Sequence, residues 1–169
     1  MSVLSRPSRE IDPTGWLQEI WRYQWTDIFK TSDQTTNTDT TLSDDSTLVW
    51  TAEASRVYAV EYVIFYNTPA AADFKYTLTG PASPTLVRIH GRVWDGSGSA
   101  VADAFNTAFG TSNAVTSGNT DFILRIAAIV QNGATAGPVA FQWAQNTSNA
   151  SDTTVYAGSK LRFKLVTSK

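Results

Sequence analysis

The sequence predicts an all-β protein, an antiparallel β-sandwich of about eight strands behind a short N-terminal arm. Two observations lead there. From Trp25 onward, strand-like runs are separated by clusters of Gly, Pro, Ser, Thr and Asn, the punctuation of a sandwich. Several of those runs alternate apolar and polar residues with the period of two that gives a strand one dry and one wet face. No period of 20 to 50 residues repeats, which excludes solenoids and propellers.

Residues 1–11 are polar and irregular. In "DPTGWLQEIWRYQWTDIF", Asp12 offers a helix cap, Pro13 suits the first helical position, and Trp16, Leu17, Ile20 and Trp21 supply the apolar residues. A short helix over 13–22 is predicted; Gly15 weakens it, and an extended path into the first strand is the alternative. Strands are predicted over 25–31, 47–53, 57–67, 72–79, 85–94, 121–131, 138–145 and 159–167. In "KLRFKLV", Leu161, Phe163 and Leu165 face one way and Arg162, Lys164 and Val166 the other. In "FKYTLTG", Phe74, Tyr76 and Leu78 alternate with Lys75, Thr77 and Thr79. The runs "VYAVEYVIFYN" and "FILRIAAIVQ" are nearly continuous in apolar residues, each broken by one charge, Glu61 or Arg125. Such runs belong in the middle of a sandwich or against a neighbouring subunit. "DFILRIAAIVQNG" has the length of a helix, but Phe, Ile and Val dominate it and Gly133 and Gly137 close it, so strand is predicted. Residues 95–120 are rich in small residues and long for a loop, with room for a short helix at 100–108 or a hairpin excursion.

Composition narrows the function. A chain of 169 residues accommodates one domain with a real core, divided here into an arm (1–25) and a sandwich domain (26–169). Only 17% of residues are charged, so the polar surface is built on Ser, Thr and Asn, as suits an extracellular or particle-borne protein. The net charge of -2 and the lack of any basic run argue against nucleic acid as a partner. With no cysteine there is no disulfide framework, thiolate nucleophile or zinc knuckle. No signal-peptide pattern and no run long enough to cross a bilayer occur, so synthesis in the cytoplasm without membrane insertion is expected. The sequons at Asn146 and Asn149 would carry glycans only in a secreted eukaryotic protein.

Catalytic signals are sparse. His90, the only histidine, lies inside a strand-like run with no G-x-S-x-G elsewhere, and a hydrolase triad needs both a nucleophile and an oriented base. Asp33, Asp39, Asp44 and Asp45 fall in an oxygen-rich stretch suggestive of calcium, but the EF-hand order is absent and turn chemistry accounts for them as a solvated loop. Glu53, Glu61 and Asp121 could be drawn as a glycosidase pair, with nothing to fix their separation. No phosphate-binding loop, dinucleotide fingerprint or metalloprotease motif occurs. No enzyme activity, cofactor or metal is therefore expected. Among the aromatics, Phe65, Phe74, Phe122 and Phe163 read as core by strand alternation. Trp16, Leu17, Ile20, Trp21 and Trp25 form an apolar arm suited to burial against another protein, and Trp94 and Tyr156 are candidates for ligand contact.

The segments "GATAGPVAFQWAQNTSNASDTTVYAGSKLRFKLV" (133–166), "KTSDQTTNTDTTLSDDSTLVWTAEASRVYAVEYVIFYNT" (30–68) and "KYTLTGPASPT" (75–85) resemble a module that recurs in structural proteins of tailed bacteriophages. It occurs both as a free-standing virion protein and as a segment of tail or fibre proteins. The likeness covers most of 30–167 and is most specific at "QWAQNTS" and "AGSKLR"; the first 29 residues lie outside it. It implies a jelly-roll sandwich displayed on a virus particle, often as a trimer, with no catalytic residues to carry over. The expected function is thus a capsid decoration or cement protein, a homotrimer contacting the major capsid protein or other virion proteins and localised to the virion. The alternative is a tail- or fibre-associated module that binds a host surface glycan.

Overall fold

The computed structural model describes residues 24–116, 118 and 120–168, and the regular structure among them is entirely β. The strands are β1 (Thr26–Phe29), β2 (Gln34–Thr36), β3 (Ser43–Ala52), β4 (Arg56–Asn67), β5 (Phe74–Thr79), β6 (Leu86–Asp95), β7 (Ala100–Asn106), β8 (Asn113–Val115), β9 (Asp121–Gln131), β10 (Gly137–Gln145), β11 (Thr153–Val155) and β12 (Lys160–Ser168). They form two antiparallel sheets. The larger runs β1-β12-β4-β9-β6-β7, with β11 pairing β4 and β2; the smaller runs β3-β10-β5-β8. The pairings nest, β1 with β12, β3 with β10, β4 with β9 and β5 with β8. A long hairpin paired in this way and rolled into two layers is a jelly roll, in agreement with the predicted fold class. The β6–β7 hairpin enters between β5 and β8 and widens the larger sheet beyond β9.

Each of the eight predicted runs falls on a strand. The four strands not predicted are β2, β8 and β11, of three residues each, and β7, which is the hairpin alternative for residues 95–120. The helix predicted over 13–22 lies outside the described residues.

Why two apolar runs became neighbouring strands is visible in their phase. Along β4, Tyr58, Val60, Tyr62, Ile64 and Tyr66 point into the sandwich; along β9, Phe122, Leu124, Ile126, Ala128 and Val130 do so. Each large apolar side chain removed from water contributes about 1.5–3 kcal/mol. Aromatic rings join the layers. Tyr66 stacks on Phe74 at 4.0 Å and on Phe122 at 5.3 Å, while towards the other end Trp50 stacks on Phe163 at 4.5 Å and meets Tyr58 edge-on at 4.7 Å. Burial pushes the Tyr76 phenol up to about 12, with the Asp103 charge a lesser cause. The Tyr76 hydroxyl reaches the larger sheet where β6 carries Gly91, and a Cβ there would lie 2.3 Å from that oxygen.

Two expectations are corrected. Phe65 sits between buried Ile64 and Tyr66, so the alternation turns it outward, 36% exposed, instead of into the core. Asp45 belongs to no solvated loop. It is buried on β3, where its carboxylate receives Lys30 Nζ at 2.9 and 3.1 Å, the Thr47 and Leu48 amides at 3.0 and 3.1 Å, and Trp143 Nε1 at 3.3 Å. The long polar loop after β10 is similarly organised from inside. Buried Gln145 donates to the Ser151 carbonyl at 2.8 Å and accepts the Asn149 amide at 2.9 Å.

The Lys30–Asp45 pair is 1% and 0% exposed, and removing one partner of such a pair strands the other charge. Lys30→Met is expected to lower the unfolding free energy in urea by about 3–5 kcal/mol, and Asp45→Asn to cost a comparable amount. A loss below about 1 kcal/mol for both, the range of exposed pairs, would mean that water reaches the site.

Candidate functional site

The apolar residues of β4 and β9 that the core does not use emerge on the outer face of the larger sheet. Strand register orders that face into rows. Phe65, Ile123 and Trp94 lie side by side on β4, β9 and β6; the next row is Val63, Arg125 and Arg92; the third is Glu61, Ala127 and His90, continued by Phe105 on β7. Ile129 and Phe105 are among its exposed large side chains.

At one end of this face a surface cavity of about 580 Å³ is lined by Phe65, Trp94, Ile123 and Tyr156, among others. Ile123 lies between Trp94 and Phe65 in the row. Strand side chains stand roughly perpendicular to their sheet, so Ile123 forms a floor and the two rings form walls. Tyr156 is held beside Phe65 by its own amide, which donates to the Phe65 carbonyl at 2.9 Å. The structure thus brings together Trp94 and Tyr156, the two ligand-contact candidates, which are 62 positions apart in the sequence.

The polar groups at the rim are carboxylates with donors already in place. Asp121 Oδ1 accepts the Tyr156 hydroxyl at 3.1 Å and Asn67 Nδ2 at 3.2 Å. Partial burial, with the hydrogen bond and charge of Asp121, raises the Tyr156 phenol above its ordinary value. Asp95 Oδ1 accepts the Ser97 and Ser99 amides at 3.0 and 2.9 Å and the Ser97 hydroxyl at 2.7 Å, which shapes the loop carrying Gly96 and Gly98. One row further along the face from the floor stand two cations, of which Arg125 lines the cavity. Arg92 and Arg125 are directly opposed on neighbouring strands, and their guanidinium carbons lie 5.4 and 5.9 Å from the Trp94 ring centre. Like charges in that position repel, and stacking on an indole offsets part of the cost. The carboxylates on the same face are engaged elsewhere: Glu61 accepts Arg162 at 2.6 and 2.9 Å, and Asp103 meets His90 Nε2.

The other candidates separate. Trp16, Leu17, Ile20 and Trp21 lie outside the described residues. Trp25 is half-buried against its own domain, with the Arg162 guanidinium 4.4 Å and the Lys164 ammonium 4.9 Å from its ring. The acidic stretch is used by the fold: Asp33 accepts the Ala157 amide, Asp39 the Thr41 amide and Asp44 the Gln142 side chain. Among the described residues no group of three or more His, Asp or Glu is placed to hold a metal ion. Glu61 and Asp121 share a face but lie six residues apart along it, about 20 Å, far beyond the reach of a glycosidase pair. Glu53 instead pairs with Arg56 at 3.3 Å. Sequence reasoning missed Phe65, Asp121 and Arg125 as cleft residues. The phase of "VIFYN" could have found Phe65, and the lone charge in "FILRIAAIV" hinted at Arg125.

No protein-family model matches the sequence, and no curated protein does. Likenesses to solved structures are distant. A CocE/NonD family hydrolase from Staphylococcus aureus aligns at 9% identity over 85% of this chain and 37% of its own, with a TM-score of 0.35. The tripod from the baseplate of bacteriophage Tuc2009 aligns at 8% identity over 97% and 72%, with a TM-score of 0.32. The VP2 subviral particle of infectious bursal disease virus aligns at 12% identity over 85% and 42%, with a TM-score of 0.23. The chain therefore spans little more than a third of the hydrolase and less than half of VP2. Such values carry nothing about activity or partners.

The loop at 95–99 depends on one carboxylate. The Ser97 hydroxyl foremost, then the Ser99 amide, holds Asp95 below its ordinary value of 3.8. A depressed carboxylate keeps its bonds as pH falls past the ordinary range and loses them only on crossing the lowered value. Asp95→Ala should speed hydrogen exchange at the Ser97 and Ser99 amides at neutral pH, and the wild-type amides should begin to match it only in stronger acid than an ordinary aspartate requires. Unchanged exchange in the variant would show that the loop is held by other contacts.

Proposed function

We propose that the protein is a non-catalytic structural component of a phage virion, a jelly-roll module that works by contact. The observation that carries this reading is the distribution of exposed apolar side chains. Phe29, 56% exposed, lies on β1 at one edge of the larger sheet; Val101 and Phe105, 43% and 64% exposed, lie on β7 at the other. Edge strands also present unpaired backbone donors and acceptors, which soluble proteins normally guard with charge or distortion. Two unlike sticky edges on opposite sides of one sheet suit a head-to-tail contact, and such contacts close into rings when the rotation permits. A three-membered ring around the particle's symmetry axes is the assembly that this reading favours, as a capsid decoration or cement protein. The resemblance of 30–167 to phage structural modules supports the virion as its place.

The non-enzymatic part of the proposal is a reading of the surroundings of His90 among the described residues. His90 and Asp103 could serve as base and orienter, but the residues opposite His90 are Ala127 and Phe105, with no hydroxyl nucleophile. Contacts to the major capsid protein or other virion proteins fall to the arm, residues 1–25, whose Trp16 and Trp21 would supply the buried aromatic anchors that dominate many interfaces.

Mass measurement in solution is expected to find a trimer, and Phe105→Asp or Phe29→Asp should each yield a folded monomer, because a charge placed in an apolar contact costs about 2 kcal/mol or more. A wild-type monomer at micromolar concentration would end the ring proposal. For the arm, Trp16→Ala with Trp21→Ala should leave the melting temperature unchanged and abolish attachment to particles, with little sensitivity to moderate salt since charge runs are absent. A large fall in melting temperature with attachment retained would instead make the arm part of the domain's own core.

A further inference from the structure

We infer that the cleft between Trp94 and Phe65 is a binding site for a saccharide bearing a carboxylate. The slot lies between the sheet edges assigned to self-association, so it stands independently of that assembly. Trp94 and Phe65 are separated by the one intervening strand that carries Ile123, two strand spacings or about 9.5 Å. That separation admits one ring between two aromatic walls, its apolar faces against them. Binding pockets of this kind combine apolar walls with a few placed polar groups, and here those groups are sorted by charge.

On one side of the slot are the carboxylates of Asp95 and Asp121 with the Tyr156 hydroxyl. Asp121 Oδ1 already serves Tyr156 and Asn67, which leaves its second oxygen to accept from a ligand hydroxyl. On the other side is Arg125, which lines the slot, and just outside it Arg92, opposed to Arg125 across β6 and β9; neither has a carboxylate within ion-pair distance among the described residues. An anion placed between them would remove the repulsion of the opposed pair and accept the bidentate hydrogen bonds for which guanidinium is shaped. The occupant must then present hydroxyl donors at one end and a single anionic group at the other, with a ring between. A uronate or sialate residue has that polarity. A nucleotide would bring several phosphate charges close to Asp95 and Asp121. An extended acidic peptide would lay its backbone on a sheet face, where no unpaired strand edge is available to satisfy it.

The full-length protein is to be titrated calorimetrically with uronate- and sialate-bearing oligosaccharides and with neutral oligosaccharides of equal length. Acidic members are expected to bind saturably and about tenfold more tightly than neutral ones, the worth of one charge-assisted contact. Arg125→Gln, at an exposed position, should bring the acidic sugars to the level of the neutral ones. Trp94→Ala and Phe65→Ala should each abolish binding of both classes while the protein stays folded with the oligomeric state of the wild type; for Trp94→Ala a modest fall in melting temperature is expected, since the indole offsets part of the Arg92–Arg125 repulsion. Two results overturn the proposal: no saturable binding anywhere in the panel, or binding of polyglutamate or ATP as tight as that of the acidic sugars and equally dependent on Arg125. Either would leave the self-association reading untouched, since that is read from mass and not from the titration.

Discussion

A buried ion pair at the seam between the sheets sets the constraint on which the sandwich depends. Lys30 follows β1 of the larger sheet, Asp45 belongs to β3 of the smaller, and Trp143 on β10 donates to the same carboxylate. Gln34 Oε1 accepts from Lys30 Nζ at 3.1 Å and from the Ser46 amide at 3.1 Å, so the crossing from β1 to β3 is fixed through side chains. Two charges out of water are tolerable only when their remaining hydrogen-bonding capacity is filled, and here Asp45 also holds the Thr47 and Leu48 amides. Apolar burial would stabilise many relative placements of two greasy sheets. A fully satisfied polar node stabilises one, and it lies beside the start of the nested pairings that make the jelly roll.

The same layer arrangement explains why the candidate chemistry sits on one face only. Among the described residues, the exposed large apolar side chains Phe29, Phe65, Val101, Phe105, Ile129 and Val166 all belong to strands of the larger sheet. The β6–β7 hairpin is responsible for much of this. By adding two strands beyond β9 it makes the face broad enough to carry a cleft at one end and apolar edges at both sides, and Trp94 and its arginine neighbour Arg92 arrive on that hairpin. The smaller sheet received no such extension.

Much of the fold was legible because strand alternation and turn residues are local signals. The runs at 57–67 and 121–131 fall almost residue for residue on β4 and β9, and "KLRFKLV" keeps its two faces. What escaped were three-residue strands, too short to show a period, and β7, whose "AVADAFN" alternates small residues with Val, Asp and Phe and so resembles loop as much as strand. Asp45 escaped for a different reason. Its partner Lys30 is 15 residues away, and a sequence gives no sign that the two charges are buried together. Trp94 and Tyr156 could be named from aromatic type alone, but their meeting in one cleft depends on β6 and the β11–β12 turn converging at the same end of the sheet, which is topology and not pattern.

The opposed arginines bear directly on the proposed ligand site. A sheet selected only to be packed against another copy would be expected to avoid like charges in register, since the repulsion persists in the free chain and grows as water is excluded. Arg162 and Glu61, opposed on β12 and β4, show the ordinary solution on this very face, with complementary charges paired at 2.6 Å. Arg92 and Arg125 depart from it while Trp94 stays stacked beneath them. The departure costs stability locally, and the contact with Trp94 limits the motion by which two guanidiniums could escape one another. In the proposed site they would present a pair of donors whose freedom the indole already restricts, and such restriction reduces the entropic cost of receiving an anion.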